Sequence, residues 1–122
     1  YKINFVAKIK PIILDNYLFL ISNNNLIISM DLKNGNIIYS YNINEKIAEF
    51  LKIKKDQVEF KNFFISNSSI YVFLKNSYLL IFNINGDLEK ITKLPTKIYS
   101  QPIFVNGNMM YLTSNGSLSI LN

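Results

Sequence analysis

The apolar positions of this chain come in short runs, and each run ends at a small polar corner. Leu18-Phe19-Leu20-Ile21 gives way to Ser22-Asn23-Asn24-Asn25, and Ile70-Tyr71-Val72-Phe73-Leu74 stops at Lys75-Asn76-Ser77. The stretch MDLKNGNIIYS, residues 30–40, runs from one apolar segment through Asn34-Gly35 into another. Asn-Gly and Asn-Asn corners tolerate positive φ and mark hairpins. A strand with one wet face would alternate apolar and polar residues. Runs that are apolar at consecutive positions instead predict strands covered on both faces. A short buried helix gives the same pattern, but the corners and the β-branched and aromatic content favour strand.

The pattern repeats. Residues 11–31 align without a gap on residues 102–122, an offset of 91. Pro11 falls on Pro102, and Leu14-Asp15-Asn16 on Val105-Asn106-Gly107. Leu18 to Ile21 fall on Met109 to Leu112, Ser22 on Thr113 and Ile27 on Leu118. A middle copy occupies 65–83, and its Asn85-Gly86 matches Asn34-Gly35 at an offset of 51. Each unit reads as four strands; in the first they span 11–14, 17–22, 26–32 and 36–41. Four-stranded antiparallel sheets recurring every 40–50 residues, with central strands covered on both faces, are what β-propeller blades require.

The expected fold is therefore all-β, part of a propeller of about three four-stranded antiparallel blades. The blades lie at 10–43, 58–95 and 101–122. Propellers typically have about four to eight blades, so three do not close a ring. The chain opens with Tyr1 and stops after the third strand of its last unit. It reads as the C-terminal part of a larger propeller, with residues 1–9 as the last strand of a preceding blade. Upstream chain would then supply the missing outer strand. Residues 44–57 break the repeat with a helical insertion in which Ile47, Phe50 and Leu51 share a face. Asn44 is the expected cap, with Glu45 at the positive end of the helix dipole and Lys52, Lys54 and Lys55 at the negative end.

Composition narrows the chemistry. Among 122 residues, 49% are hydrophobic and 17% charged, which suits a packed core rather than a disordered chain. The net charge is +5 and every cation is Lys. Such a charge suits phosphate or an anionic membrane surface. Arg, the bidentate reader of phosphate and guanine, is absent, and the scattered lysines read as a solvated surface. No apolar run approaches the ~18 residues needed to cross a membrane. There is no Cys and no His, which removes thiolate and imidazole ligands and His-based triads from this segment.

The carboxylates show no informative pairing. Asp31 stands where its carboxylate can bond the amides of the turn ahead of Asn34-Gly35. Asp15 and Asp87 sit in turns, and Asp56 follows the helix. DLKNGN fails as a Ca²⁺ loop because Asp31 lies one residue too near Gly35 and the terminal Glu is missing. Glu45 and Glu49 lie four apart on the helix, a spacing that a solvated face explains. The aromatics fall inside apolar strand runs, as Phe63-Phe64 and Tyr71 with Phe73 do, which points to core packing rather than base stacking. The sequons at Asn67 and Asn115 coincide with repeat turns.

From Pro11 to Ser40 the sequence resembles the PQQ-like, quinoprotein-type propeller repeat. That blade runs from Pro through a turn and an apolar strand to D-L-x-x-G-x-x-x-W. Asp31, Leu32 and Gly35 match, and Tyr39 stands at the Trp position. The second unit keeps Asn83, Ile84 and Gly86; the third keeps Pro102, Gly107, Tyr111 and Gly116. Within the class the chain is most similar to the C-terminal blades of the BamB-type lipoproteins of outer-membrane protein assembly. The resemblance implies a periplasmic, non-enzymatic scaffold with no cofactor, which binds the barrel-forming subunit of the assembly machinery. Membrane attachment would come through a lipid anchor in an N-terminal part outside this sequence, and nucleic acid is not expected as a partner. It assigns no catalytic, cofactor-binding or metal residue, and the residues that bind the partner stay unknown. The alternative within the class is a PQQ-dependent dehydrogenase, which needs quinone-stacking aromatics, Ca²⁺ ligands and a catalytic Asp.

Overall fold

The computed structural model describes residues 2, 4–52, 54, 58–95 and 97–121. Three antiparallel sheets follow one another along the chain. The first contains β1 (Ile12–Leu14), β2 (Tyr17–Ile21), β3 (Leu26–Asp31) and β4 (Ile37–Asn42) in spatial order β1-β2-β3-β4. Helix α1 (Ile43–Leu51) leads to the second sheet, β5 (Phe60–Ser66), β6 (Ser69–Leu74), β7 (Tyr78–Asn83) and β8 (Leu88–Lys93), again in chain order. The third has three strands, β9 (Ile103–Val105), β10 (Asn108–Leu112) and β11 (Leu118–Leu121), with β10 in the middle.

The corners do what their residues allow. Asn67 and Ser68 both have positive φ between β5 and β6, as do Asn106 and Gly107 between β9 and β10. These two-residue hairpins match the twist of their strands. They fix the registers Ser66↔Ser69 and Val105↔Asn108, and Leu14↔Tyr17 is their counterpart in the first sheet.

Register decides which residues face which neighbour. From β6, Ile70, Val72 and Leu74 turn one way, with Leu80 and Phe82 of β7 and Phe63 of β5. They pack with Phe19, Ile21, Ile27 and Tyr39 of the first sheet. Tyr71 and Phe73 turn the other way and meet Phe104, Met109 and Tyr111 of the third sheet. Thus β6 is apolar at consecutive positions because a sheet lies against each of its faces. Full burial of each such side chain favours folding by roughly 1.5–3 kcal/mol, so losing either neighbouring sheet is costly.

Two expectations need correction. The helix starts at Ile43, and its cap is Asn42 rather than Asn44. Asn42 Oδ1 accepts the Asn44 and Glu45 N–H groups at 3.0 and 3.4 Å. The reason is backbone geometry: β4 delivers Asn42 in an extended conformation, as an N-cap requires. Asn44 is buried, and its Oδ1 accepts the Val58 N–H at 3.1 Å, tying the helix start to the chain that enters β5. The apolar face also fades along the helix. Ile43 is fully buried and Ile47 packs on the core, whereas Phe50 and Leu51 are 45% and 44% exposed. The helix ends at Lys52, in a left-handed conformation; Lys55 and Asp56 lie outside the described residues.

The opening segment is the second correction. Residues 6–8, expected within the last strand of a preceding blade, pair with the end of β2. Ala7 bridges Ser22, Lys8 N–H donates to the Ile21 carbonyl at 2.7 Å, and Asn23 N–H donates to the Val6 carbonyl at 2.9 Å. Ile98 bridges Thr113 in the same way, and Tyr99 N–H donates to the Leu112 carbonyl at 2.8 Å. These contacts recur at the offset that relates the first and third units. Residues 6–8 therefore begin the inner edge of the first sheet itself.

Candidate functional site

Antiparallel pairing gives each sheet two ends. One end carries the turn from first to second strand and the turn from third to fourth. The other carries the turn from second to third strand, together with the links between sheets.

At the first end the polar residues serve the turns. Asp31 Oδ1 accepts the Lys33 N–H at 2.8 Å and Asp31 Oδ2 accepts Asn34 Nδ2 at 3.4 Å, while Gly35 N–H donates to the Asp31 carbonyl at 2.8 Å. In the second unit Asn83 Oδ1 accepts the N–H groups of Asn85 and Asp87, both at 3.0 Å. Asp87 Oδ2 accepts Asn83 Nδ2 at 3.3 Å, and Asp15 occupies its hairpin with positive φ. The Asp31 carboxylate and the Asn83 side chain thus hold their turns, with Asp87 bonded to Asn83.

Tyr39, at the repeat's Trp position, joins the first two sheets at this end. Its hydroxyl donates to the Ile84 carbonyl at 3.1 Å, and its ring stacks on Tyr41 at 5.1 Å between centroids. Gly86 lies directly beneath. A Cβ there would come within 2.8 Å of Tyr39 Cε2 and 2.9 Å of the Tyr41 ring. Burial, reinforced by Tyr41 and then Asp87, pushes the Tyr39 hydroxyl well above the ordinary tyrosine range.

At the link end two polar clefts open between neighbouring sheets. Between the first two sheets lies a polar cleft of about 530 Å³, lined by Lys8, Asn23, Asn25, Asn42, Asn44 and Glu59, among others. Asn25 Oδ1 is buried there without a hydrogen-bond partner among the described residues. Glu59 pairs with Lys75 at 3.0 Å, both side chains well exposed, so the pair adds little stability. Between the second and third sheets a smaller cleft of about 180 Å³ is lined by Lys61, Asn62, Phe73 and residues 98–102. Lys61 Nζ donates to the Ile98 carbonyl across it.

Glu45 and Glu49 line a shallow groove with Ser40, Tyr41 and Lys46, whose ammonium sits 4.2 Å from the Tyr41 ring centroid. Among the described residues no three of His, Cys, Asp and Glu come together where a metal could be held. Phe63, Phe73 and Tyr111 are buried, as core packing requires. What the clefts offer is hydrogen bonding and charge. Sequence reading missed the contributions of Asn25, Asn42 and Lys61, because inter-sheet proximity brings them together and no local motif does.

No protein-family model and no curated protein sequence matches the chain. Solved structures do match its fold. BamB from Moraxella catarrhalis superposes over 91% of this chain with a TM-score of 0.64 at 11% identity. The quinohemoprotein alcohol dehydrogenase ADHIIG from Pseudomonas putida HK5 covers 100% of the chain, with TM-score 0.64 and 15% identity. The computationally designed Ika8 protein covers 90%, with TM-score 0.59 and 9% identity. The chain spans 31% of the BamB chain, 20% of the dehydrogenase and 31% of Ika8. Its fold is that of stacked PQQ-type β-propeller blades.

Proposed function

We propose that these blades belong to a non-catalytic propeller scaffold for protein–protein interaction, acting in the periplasm as a BamB-like component of outer-membrane β-barrel assembly. The observation that carries this reading is the pair of polar clefts that open at the link end between packed sheets. Their lining side chains stand outside the hydrogen bonds by which Asp31, Asn83, Asn76 and Thr113 hold turns at both ends. Likeness to BamB over most of the chain supports it. Fold alone hosts many functions, so the assembly role draws on the family resemblance. The partner is the barrel-forming subunit, and a lipid anchor in preceding chain would hold the protein at the outer membrane.

The dehydrogenase reading has its own support in the fold likeness to ADHIIG, which covers the whole chain. The two readings separate in one experiment. The intact parent protein is purified from an envelope extract and its companions identified by mass spectrometry. Co-purification of the barrel-forming subunit is the expected result. Its absence, with quinone and Ca²⁺ retained instead, would replace the scaffold with the enzyme.

A further inference from the structure

The lysines that look scattered along the sequence are sorted by the fold. The inter-sheet links and the turns from second to third strand carry Lys8, Lys10, Lys52, Lys54, Lys75 and Lys97, all exposed, with Lys46 half-buried and Lys61 exposed at the start of β5. The described carboxylates of those links are Glu45, Glu49 and Glu59, and Glu59 is already paired with Lys75. The opposite end has the reverse balance. Asp15, Asp31, Asp87 and Glu89 lie in or beside its turns, against Lys33 and Lys90. Among the described residues the excess of lysine over carboxylate therefore lies in the links and the turns beside them.

The link end also exposes isolated apolar side chains, and each stands beside a lysine. Val6 is 66% exposed and precedes Lys8 by two residues; Tyr99 is 77% exposed and follows Lys97 by two. Phe50 and Leu51, at the fading end of the helix face, run directly into Lys52 and Lys54. Separate apolar tips interleaved with long, flexible point charges suit a surface that is fluid and diffusely negative. A structured acidic protein or a nucleic acid is more often read by planar, bidentate Arg, and the chain has none.

We infer that the link end of the stack docks on an anionic lipid bilayer, with the lysines at the headgroup level and Val6, Phe50, Leu51 and Tyr99 reaching into the interface. This is independent of whether the propeller is a scaffold or an enzyme, and it needs no lipid anchor. Each lysine held near an anionic bilayer raises partitioning roughly fivefold, and the attraction fades as salt shortens the screening length.

The test uses the protein prepared without any lipid modification. It is sedimented with vesicles of phosphatidylcholine containing phosphatidylglycerol, and in parallel with vesicles of phosphatidylcholine alone. Binding is expected to the anionic vesicles only and to weaken with added salt. Replacing Lys52, Lys54 and Lys97 by Gln should lower partitioning by about two orders of magnitude, fivefold for each. The control Lys33→Gln with Lys90→Gln should leave it unchanged, with circular dichroism confirming that all variants fold. Because the chain has no Trp, Tyr99→Trp reports insertion, and its emission should shift to the blue on anionic vesicles. No binding to anionic vesicles, equal loss from the control, or an unshifted Trp would each overturn the proposal. Binding to polyglutamate or single-stranded DNA in place of vesicles would do so as well, and would reassign the surface to that polymer.

Discussion

Tyr39 and Gly86 show how much of the inter-sheet contact rests on single residues. Gly86 has φ +86° and no room for a Cβ, whereas Gly107 has φ +78° and open space around it. Alanine at either position meets the left-handed penalty of about 1–2 kcal/mol. Only Gly86→Ala adds overpacking against Tyr39 and Tyr41, a further ~1–3 kcal/mol. Denaturant midpoints should therefore fall distinctly further for Gly86→Ala than for Gly107→Ala. The Tyr39 hydroxyl makes a second prediction. Its folded pKa is raised above that of the unfolded chain, near 10, so the folded state retains a proton that the unfolded state releases. Stability from this group is intact below about pH 10 and declines as pH rises beyond it. Tyr39→Phe should cost about 1 kcal/mol at neutral pH and flatten the alkaline decline, as thermal melts across pH would show. The turn at Asp31 was legible because its donors and acceptor lie within a few residues of each other. The second role of Gly86 was not, because the tyrosine that needs the space belongs to another sheet.

Elements were legible where the signal is local and periodic. The strand runs, their corners and the insertion of a helix after β4 all follow from patterning, and β6 shows why its run is continuous. The helix cap was misplaced because Asn42 and Asn44 look alike in sequence. What separates them is that the strand before the helix hands over Asn42 in extended geometry, while Asn44 turns inward to Val58. Asn42→Ala should cost about 1 kcal/mol and reduce helix content, whereas Asn42→Asp should preserve both. Circular dichroism during thermal unfolding checks this. The inner edge at 6–8 was likewise misread, since a strand resumed after a break has no signature in a run of apolar residues.

At the scale of the molecule, the two ends of the stack differ. In the first sheet Leu20, Ile28 and Met30, turned away from the second sheet, are buried. In the third sheet the residues turned outward include Ile103, Leu112, Leu118 and Ile120, all substantially exposed. Contiguous apolar exposure of this kind marks an interaction surface or a route to aggregation. In the first two sheets a fourth strand flanks the third; here β11 has no such neighbour among the described residues. Ile103→Lys with Leu118→Lys should suppress self-association of these blades in sedimentation velocity while leaving the strand content unchanged. The polar clefts at the link end could not be read from sequence, because each is assembled from links and turns of neighbouring sheets. The scaffold reading is tested most directly by calorimetric titration of the protein with the purified periplasmic domains of the barrel-forming assembly subunit. The account predicts saturable binding that needs no quinone and survives a Ca²⁺ chelator. An absence of binding, with Ca²⁺-dependent uptake of pyrroloquinoline quinone in its place, would contradict it.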